Sequence, residues 1–234
     1  MSSVFLAGET IDLCVPTEED FDIWAGWFND QKITQFLEQG KYPNTPIQQR
    51  AFYQQAVQEG RFLTLIKSKE SELLGVVSLS EINNEKRSCQ IACVCPVKAK
   101  KAQLAPIEAM AICSQHAFLR FGMTRVWGGQ AFPGLKSWSQ KLELIGYKAD
   151  GIVPGGFKHG AMVSDALLIS ITRSRFLRLQ EQRGGALWPG EEKINKMLLV
   201  IKKHRPLAEE VDELLKNVHL ANDEFIDNLE KNVD

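Results

Sequence analysis

Three lysines precede the start of a predicted long helix, and their close spacing suits the binding of a polyanion. Lys98, Lys100 and Lys101 fall within four consecutive positions just before that helix. The free N–H groups of a helix N-terminus and the helix dipole both attract an anion, and neighbouring ammonium groups add to that attraction. The stretch predicts a polyphosphate-binding site, with a solvated basic loop as the equally open alternative.

The cysteines offer neither a disulfide framework nor a metal site. The chain has 5 of them, an odd number, and several lie within apolar runs, so we expect reduced core residues. Cys89, Cys93 and Cys95 lie along one predicted strand, without the Cys-x-x-Cys or His-pair spacing of a zinc site. No metal is therefore predicted.

The composition is that of an ordinary globular protein. The chain has 234 residues, of which 44% are hydrophobic and 24% are charged, which excludes wholesale disorder. The formal net charge is -1, whereas proteins that clamp nucleic acids usually carry a strong basic excess. No apolar stretch approaches the roughly 18 residues that a membrane helix needs. We therefore expect a soluble, cytoplasmic protein with neither a nucleic-acid nor a membrane partner.

Strand and helix patterns alternate along most of the chain, up to about Leu179. Thr17, with Asp20 three residues later, is expected to cap a helix that reaches about Trp27. The other predicted elements are a strand at Ile11–Val15, a helix at Pro46–Glu59, a meander of strands at Phe62–Lys67, Leu73–Ser80 and Cys89–Val94, a helix at Leu104–Phe121, a strand at Arg125–Gly128, a helix at Leu135–Ile145, and strands at Tyr147–Ile152 and Asp165–Ile171.

The order of these elements predicts an α+β fold. The strand at 89–94 leads through a loop and the long helix into the strand at 125–128, which is expected to be its parallel neighbour. The other strands follow one another as antiparallel pairs. Residues 1–180 are therefore expected to form one domain with a mixed, largely antiparallel central sheet and helices on both faces.

The last part of the chain has a different character. Residues 191–234 hold 11 acidic and 7 basic residues, a net charge of -4. Apolar residues recur at helical spacing in three stretches, Glu191–Lys203, Leu207–Val218 and Asp223–Lys231. We expect residues 181–234 to form a helical extension that mediates homo-oligomerisation or partner binding, or that packs as a satellite bundle.

Several sequence features match one known family. They are Glu108 and Ala109 near the start of the long helix, the Phe121-Gly122-Met123 break, the Arg125-Val126 strand, and the ending Leu142 to Tyr147 followed by Gly151. Together with the element order, they resemble the GNAT superfamily of acyl-CoA-dependent N-acyltransferases, in the branch of ribosomal-protein and amino-sugar acetyltransferases. The resemblance covers roughly Phe5 to Arg175.

The resemblance implies a splayed parallel strand pair, acetyl-CoA or another short acyl-CoA as cosubstrate, and a primary amine as acceptor. The acceptor expected from this branch is a nucleotide-linked amino sugar. Two alternatives stay open: acetylation of a protein amine of the ribosomal type, and a GNAT-fold binding or scaffold module without catalysis. The residues implied in binding acyl-CoA are Ala92, Cys93, Val94, Lys98, Lys101, Gln103, Leu104, Ala105, Pro106, Ile107 and Trp138.

The sequence departs from the family pattern at several functional positions. Leu135 and Trp138 stand where the family often has Asn and then Ser or Ala. The phosphate loop of the family contains glycines, but Lys101 to Pro106 contain none. The tyrosine that often protonates the CoA thiolate is replaced by Leu142, and Ser137 and Ser139 are only weak substitutes. The glycine-free loop favours CoA binding that depends more on lysine side chains than on backbone groups, or weakened CoA binding, and together with the missing tyrosine it argues for the module without catalysis.

The same resemblance implies candidate residues for the amine side of the reaction. Glu81, at the end of a predicted strand, is the candidate general base, directly or through water, with a surface carboxylate as the alternative. Gln130 is expected to orient the substrate or product, and His116 to be structural. Candidate acceptor-binding residues are Trp24, Trp27, Asn29 and Asp30 on the first helix and its exit, and His159 in a glycine-rich loop; core packing is the alternative for the tryptophans.

Overall fold

The computed structural model describes residues 3–37, 40–96 and 103–233. Its strands are β1 (Val4–Ala7), β2 (Ile11–Cys14), β3 (Phe62–Ser68), β4 (Leu73–Asn83), β5 (Ser88–Val94), β6 (Arg125–Phe132), β7 (Lys148–His159) and β8 (Met162–Thr172). Its helices are α1 (Asp20–Asn29), α2 (Gln31–Thr34), α3 (Pro46–Gln58), α4 (Ala105–Leu119), α5 (Lys136–Glu143), α6 (Arg173–Gln182), α7 (Glu191–Ile201) and α8 (Leu207–Val233).

The strands form one mixed sheet of eight strands in the order β1-β2-β3-β4-β5-β6-β8-β7. Neighbouring strands are antiparallel except β5 and β6, which are parallel because α4 carries the chain back between them. This arrangement confirms the predicted α+β fold, including the parallel neighbours at 89–94 and 125–128.

Each face of the sheet carries its own hydrophobic core. The larger core contains α4, which is buried on almost every side, against alternate residues of the strands such as Val77 and Leu79. On the opposite face, the aromatic residues of α1 pack against Leu63, Leu65 and Val76. Because successive strand residues point to opposite faces, one run of buried residues in β4 serves both cores.

The N-terminal cap predicted for α1 is wrong. The backbone N–H and the hydroxyl of Thr17 both donate to Asp20 Oδ2 at 2.8 Å, and the helix begins only at Asp20. The carboxylate of Asp20 accepts from Thr17 and also pairs with Lys67 Nζ at 2.6 Å. Its position is therefore set by the ion pair to β3, which the local sequence does not reveal.

The strands at the C-terminal side of the sheet are longer than predicted. β6 continues to Phe132, and β7 continues through the glycine-rich segment that was predicted to be a loop. β8 pairs with β7 along nearly its whole length and, on its other side, with β6 from Asp165 to Thr172. A register shift between Val153 and Phe157 accommodates the extra glycines at the sheet edge.

The C-terminal region is helical, with two differences from prediction. Helix α6 was not predicted; its Phe176 is fully buried and stacks on Phe118 of α4 at 4.8 Å between ring centroids. Helix α8 runs continuously over two of the predicted stretches. Ile194 of α7 and Ala208 of α8 are buried in the larger core. Within the described residues, no helix has the length and hydropathy to cross a membrane.

Candidate active site

The parallel strands β5 and β6 separate part of the way along their length. They pair from Ser88–Arg125 to Gln90–Trp127; beyond that point β5 pairs with β4 and β6 pairs with β8. A cavity of about 590 Å³ opens at this separation. Its walls include Ile91, Ala92, Cys93 and Val94 of β5 and Trp127, Gly128, Gly129 and Gln130 of β6.

The cavity extends to both faces of the sheet. Met110 of α4 with Trp138 and Leu142 of α5 lines it on one face. Trp24 and Phe28 of α1 with Phe52 of α3 line it on the other. Two molecules can therefore approach the gap between the strands from opposite faces, which is the geometry that a group transfer requires.

Glu81 lines the cavity at a bulge in β4. Ser80 is paired with Gln90, but the next pair is Asn83–Ser88, and Glu81 has a φ of 48°. Non-glycine residues rarely adopt this left-handed conformation, and bulges beside active sites often redirect a side chain. The bulge accounts for an exposed carboxylate within the cavity wall, beside Ser78 and Ser80.

Gln130 lies within β6, where it is paired with Leu167, rather than just past the end of the strand as predicted. It lines the cavity, and its Nε2 donates to the Leu135 carbonyl at 2.9 Å. The side-chain amide therefore links the strand to the turn that precedes α5.

The start of α4 is the predicted pyrophosphate site. The side chains of Leu104, Ala105 and Ile107 are buried, and Gln103 is exposed. Pro106 has no N–H, and the N–H groups of Ile107 and Glu108 donate to the Leu104 carbonyl at 3.0 and 2.9 Å. The N–H groups of these two residues are thus used within the chain. Lys98 and Lys101 lie outside the described residues.

The structure distributes the predicted acceptor residues over different environments. Trp24 and Trp27 are both buried in the smaller core, the alternative that the sequence left open, and Trp24 also borders the cavity. Asn29 exchanges two hydrogen bonds of 2.7 Å with the backbone of Asn44. Asp30 caps α2 by accepting from the Lys32 N–H at 2.8 Å. Asn29 and Asp30 therefore shape the chain around α2.

Aromatic residues that sequence reasoning missed complete this side of the cavity. Phe28, Phe36, Phe52 and Phe157 all line it. The aromatic spacing of Trp24 and Phe28, four residues apart on one helix, was the only available signal. The others come from distant parts of the chain and are brought together by the fold.

Neither candidate histidine lies in the cavity wall among the described residues. His159 is at the end of β7, where its Nδ1 is 2.8 Å from the Leu37 carbonyl oxygen. His116 stacks on Phe62 at 4.9 Å between ring centroids. Burial, with a smaller contribution from Arg120, lowers the pKa of His116. A neutral imidazole in an aromatic cluster fits the structural role expected for it.

No strong proton donor faces the gap from α5. Trp138 and Leu142, one turn apart, line the cavity. Ser139 is buried and donates to the Lys136 carbonyl at 2.7 Å, while Ser137 is exposed. Cys93 of β5 does line the cavity, but burial raises the pKa of its thiol, which keeps it protonated and weakly nucleophilic.

Comparison with known families identifies the class of protein. A family model described as an acetyltransferase (GNAT) domain matches residues 11–130, which include β2 to β5, α4 and the cavity-lining part of β6. The match covers more than half of the chain, and the chain therefore belongs to the GNAT acetyltransferase family. The protein is accordingly an acyl-CoA-dependent N-acyltransferase with acetyl-CoA or another short acyl-CoA as cosubstrate, as the resemblance implied.

Solved structures share the fold at low sequence identity. The spermidine N-acetyltransferase from Vibrio cholerae, in complex with CoA and spermine, has a TM-score of 0.64 at 16% identity, over 73% of this chain and 99% of that one. RimJ of Mycobacterium smegmatis, in complex with CoA-disulfide, has a TM-score of 0.63 at 15% identity, over 76% and 91%. The Microcin C7 self-immunity acetyltransferase MccE, with acetyl-CoA and AMP, has a TM-score of 0.60 at 17% identity, over 70% and 93%. A search of curated protein sequences gives no significant match.

Proposed function

We propose that this enzyme acetylates one primary amine on a small molecule, and that the acceptor is a nucleotide-linked amino sugar. The observation that carries the proposal is the lining of the cavity, which combines several aromatic side chains on the α1 face with a single carboxylate among the described residues. Such a wall suits a flat or sugar-like carrier with a single amine.

The donor would enter from the face that carries α4 and α5. Ala92, Cys93 and Val94 pair with β4 on one side only, so the edge of β5 toward the gap is available to the amide groups of a pantetheine arm. Backbone N–H groups at this edge would polarise the thioester carbonyl. Trp138 would lie against the arm, and the lysines at 98 and 101 would pair with the pyrophosphate.

The acceptor would enter from the α1 face. Phe28, which is half-buried, and Phe52, which is exposed, offer aromatic surfaces on which a base or a sugar ring can stack. Arg61, the cationic residue among the described residues of the wall, would pair with a phosphate of the nucleotide. The only carboxylate among those residues is that of Glu81, which leaves a polyamine with more ammonium groups than the wall can pair.

The ammonium form of the acceptor must lose two protons, and the CoA sulfur gains one. Glu81 would accept the first proton, directly or through water, and pass it to solvent. The neutral nitrogen would then attack the thioester carbonyl carbon and give up its second proton to Glu81 or water as the amide forms. The carbon–sulfur bond breaks as the amide forms, and the CoA thiolate takes up a proton. Because Leu142 stands where the family often has a tyrosine, Glu81 or water would return that proton.

The test is release of free CoA thiol from acetyl-CoA with three acceptors: a nucleotide-linked amino sugar, spermidine and a peptide with a free N-terminus. We expect the highest kcat/KM with the amino sugar. A preference for spermidine or for the peptide would reject the proposed acceptor, while the enzyme class would stand.

A second test concerns Glu81. Glu81→Gln should lower kcat by roughly 100-fold or more, the usual contribution of a general base, with little change in acetyl-CoA affinity. Glu85→Gln is the matched control, since Glu85 is exposed in the turn between β4 and β5, outside the cavity wall. Near-normal turnover of Glu81→Gln would show that Glu81 is a surface carboxylate without a role as general base.

A further inference from the structure

The C-terminal part of α8 has no cover within the described chain. The first turns of the helix are held to the body: Ala208 is buried, the Leu207 N–H donates to Glu143 Oε1 at 3.1 Å, and Glu209 pairs with Lys136 at 2.7 Å. From Lys216 to Leu229, in contrast, every residue is exposed. This segment, the α8 arm, is about 21 Å long at 1.5 Å per residue.

An apolar stripe along the α8 arm is exposed to water. Leu214, just before the arm, is 63% exposed, and Val218, Phe225 and Leu229 are 55%, 58% and 45% exposed. Their spacing of 4, 7 and 4 residues keeps them within roughly 60° on a helix of 3.6 residues per turn. Contiguous exposed apolar surface on a helix of 27 residues marks a contact with another surface, so the stripe needs a partner.

The stripe is symmetric about its own centre. Its midpoint falls between Ala221 and Asn222, with Val218 and Phe225 at equal distances on either side. Leu214 and Leu229 form the next symmetric pair. When two copies of a helix lie antiparallel about a twofold axis, each position meets its mirror position. Here every large apolar residue of the stripe would then meet another apolar residue.

The charges of the α8 arm lie where a second copy would not contact them. Asp223, Glu224 and Asp227 are more than about 90° away from the stripe around the helix. The positions beside the stripe are uncharged, namely Ala221, Asn222, Ile226 and Asn228. Two acidic helices can thus pair without like charges at the contact. A basic partner would find no acidic residue next to the stripe.

We propose that the α8 arm is a dimerisation surface, and that its occupant is the α8 arm of a second copy of this chain, antiparallel and centred on Ala221 and Asn222. The small side chain of Ala221 at the centre permits close approach of the two helices. The proposal is independent of the acceptor proposed above, because the arm contributes no residue to the cavity wall.

The first experiment measures the mass of the full chain by light scattering over a concentration series. We expect the wild type to reach twice the 26.3 kDa chain mass. Phe225→Asp should raise the dissociation constant roughly 100-fold or more, since the symmetric contact is lost twice and each loss costs about tenfold. Leu220→Asp is the matched control: Leu220 is 60% exposed but lies on the opposite side of the helix.

Each variant should bind acetyl-CoA as tightly as the wild type does, which verifies that the rest of the protein remains folded. A wild-type chain that keeps the mass of one copy up to its solubility limit would overturn the proposal. So would a dimer that Phe225→Asp leaves intact, or one that Leu220→Asp weakens equally.

The second experiment tests the antiparallel register. Leu214→Cys and Leu229→Cys chains, mixed and oxidised, should form a cross-linked pair, while each variant alone should form little more than the wild type with its own cysteines. Cross-linking of Leu214→Cys with itself would show parallel helices and overturn the register.

Discussion

The ion pair between Asp20 and Lys67 is expected to hold α1, and with it the aromatic wall of the cavity, against the sheet. Lys67 Nζ lies 2.6 Å from Asp20 Oδ1, and both side chains are only 7% exposed. Removing one member of a buried ion pair leaves the other charge buried and unpaired, which typically lowers the free energy of unfolding by about 3–5 kcal/mol. The pair of Lys69 with Asp12, whose side chains are 39% and 18% exposed, offers a more solvated control on the same part of the sheet.

Lys67→Met should lower the free energy of unfolding by about 3 kcal/mol, the low end of that range. The low end is expected because Asp20 Oδ2 still accepts from the N–H and hydroxyl of Thr17. Lys69→Met should cost no more than about 1 kcal/mol, as exposed ion pairs do. Asp20→Asn combined with Lys67→Met removes both charges, and its cost should fall below the sum of the single costs by about 2 kcal/mol.

The measurement is urea unfolding, monitored by tryptophan fluorescence. The variants can be compared if the free energy of unfolding depends on urea concentration with the same slope (m-value) in each. Acetylation of the acceptor should weaken in Lys67→Met more than acetyl-CoA binding, because α1 lines the acceptor side. The reasoning fails if Lys67→Met costs no more than Lys69→Met, or if the single costs simply add.

Three further predictions follow from particular contacts. The pKa of His116 is lowered by burial, so the stability that its neutral form contributes is fully present above about pH 6.5, the ordinary pKa of histidine, and is lost as pH falls from there through the lowered pKa of the folded state. His116→Phe should therefore flatten the fall of Tm between pH 7 and 5, and an unchanged slope would contradict this. Burial raises the pKa of Cys89 to about 12, so a thiol reagent at pH 8 should label Cys89 only on unfolding, and rapid labelling of the native protein would show an open core. A Cβ at Gly134 would lie 2.7 Å from Phe36 Cε1, so Gly134→Ala should shift the ring and raise KM for the acceptor several-fold without affecting KM for acetyl-CoA; Gly151→Ala, with open space around it, is the control.

Alternation and element order were enough to predict the sheet. The meander at 62–94 and the parallel strand after the long helix need only local pattern and the crossover rule. The local sequence of the glycine-rich segment at 155–160 predicts a loop. The segment nevertheless belongs to β7, because β8 pairs with it up to His159. The sequence predicts two helices where the structure has only α8, because the apolar spacing is interrupted near Ala221. No residue there breaks a helix.

The candidate site was predictable only where a residue lies on an element found from sequence. Glu81 was placed at a strand end, but the bulge that directs it into the cavity depends on pairing with β5. Asn29 was grouped with the acceptor residues because of its neighbours, whereas its hydrogen bonds go to Asn44. Phe36, Phe52 and Phe157 come from three separate segments, so no local pattern relates them.

The two sides of the cavity depend on different parts of the structure, which has a consequence for the enzyme. The donor side is built mainly from β5, β6 and two helices that belong to the larger core, so its shape is fixed by packing. The acceptor side is built from α1 and α3, which pack in the smaller core, and from the segment at Phe36 and the β7–β8 hairpin, where His159 Nδ1 lies 2.8 Å from the Leu37 carbonyl oxygen. Substitutions on this side can change the wall without disturbing the larger core. Acceptor choice should therefore vary more readily than use of acyl-CoA, and the acceptor must be inferred from the aromatic wall and Glu81 rather than from the fold.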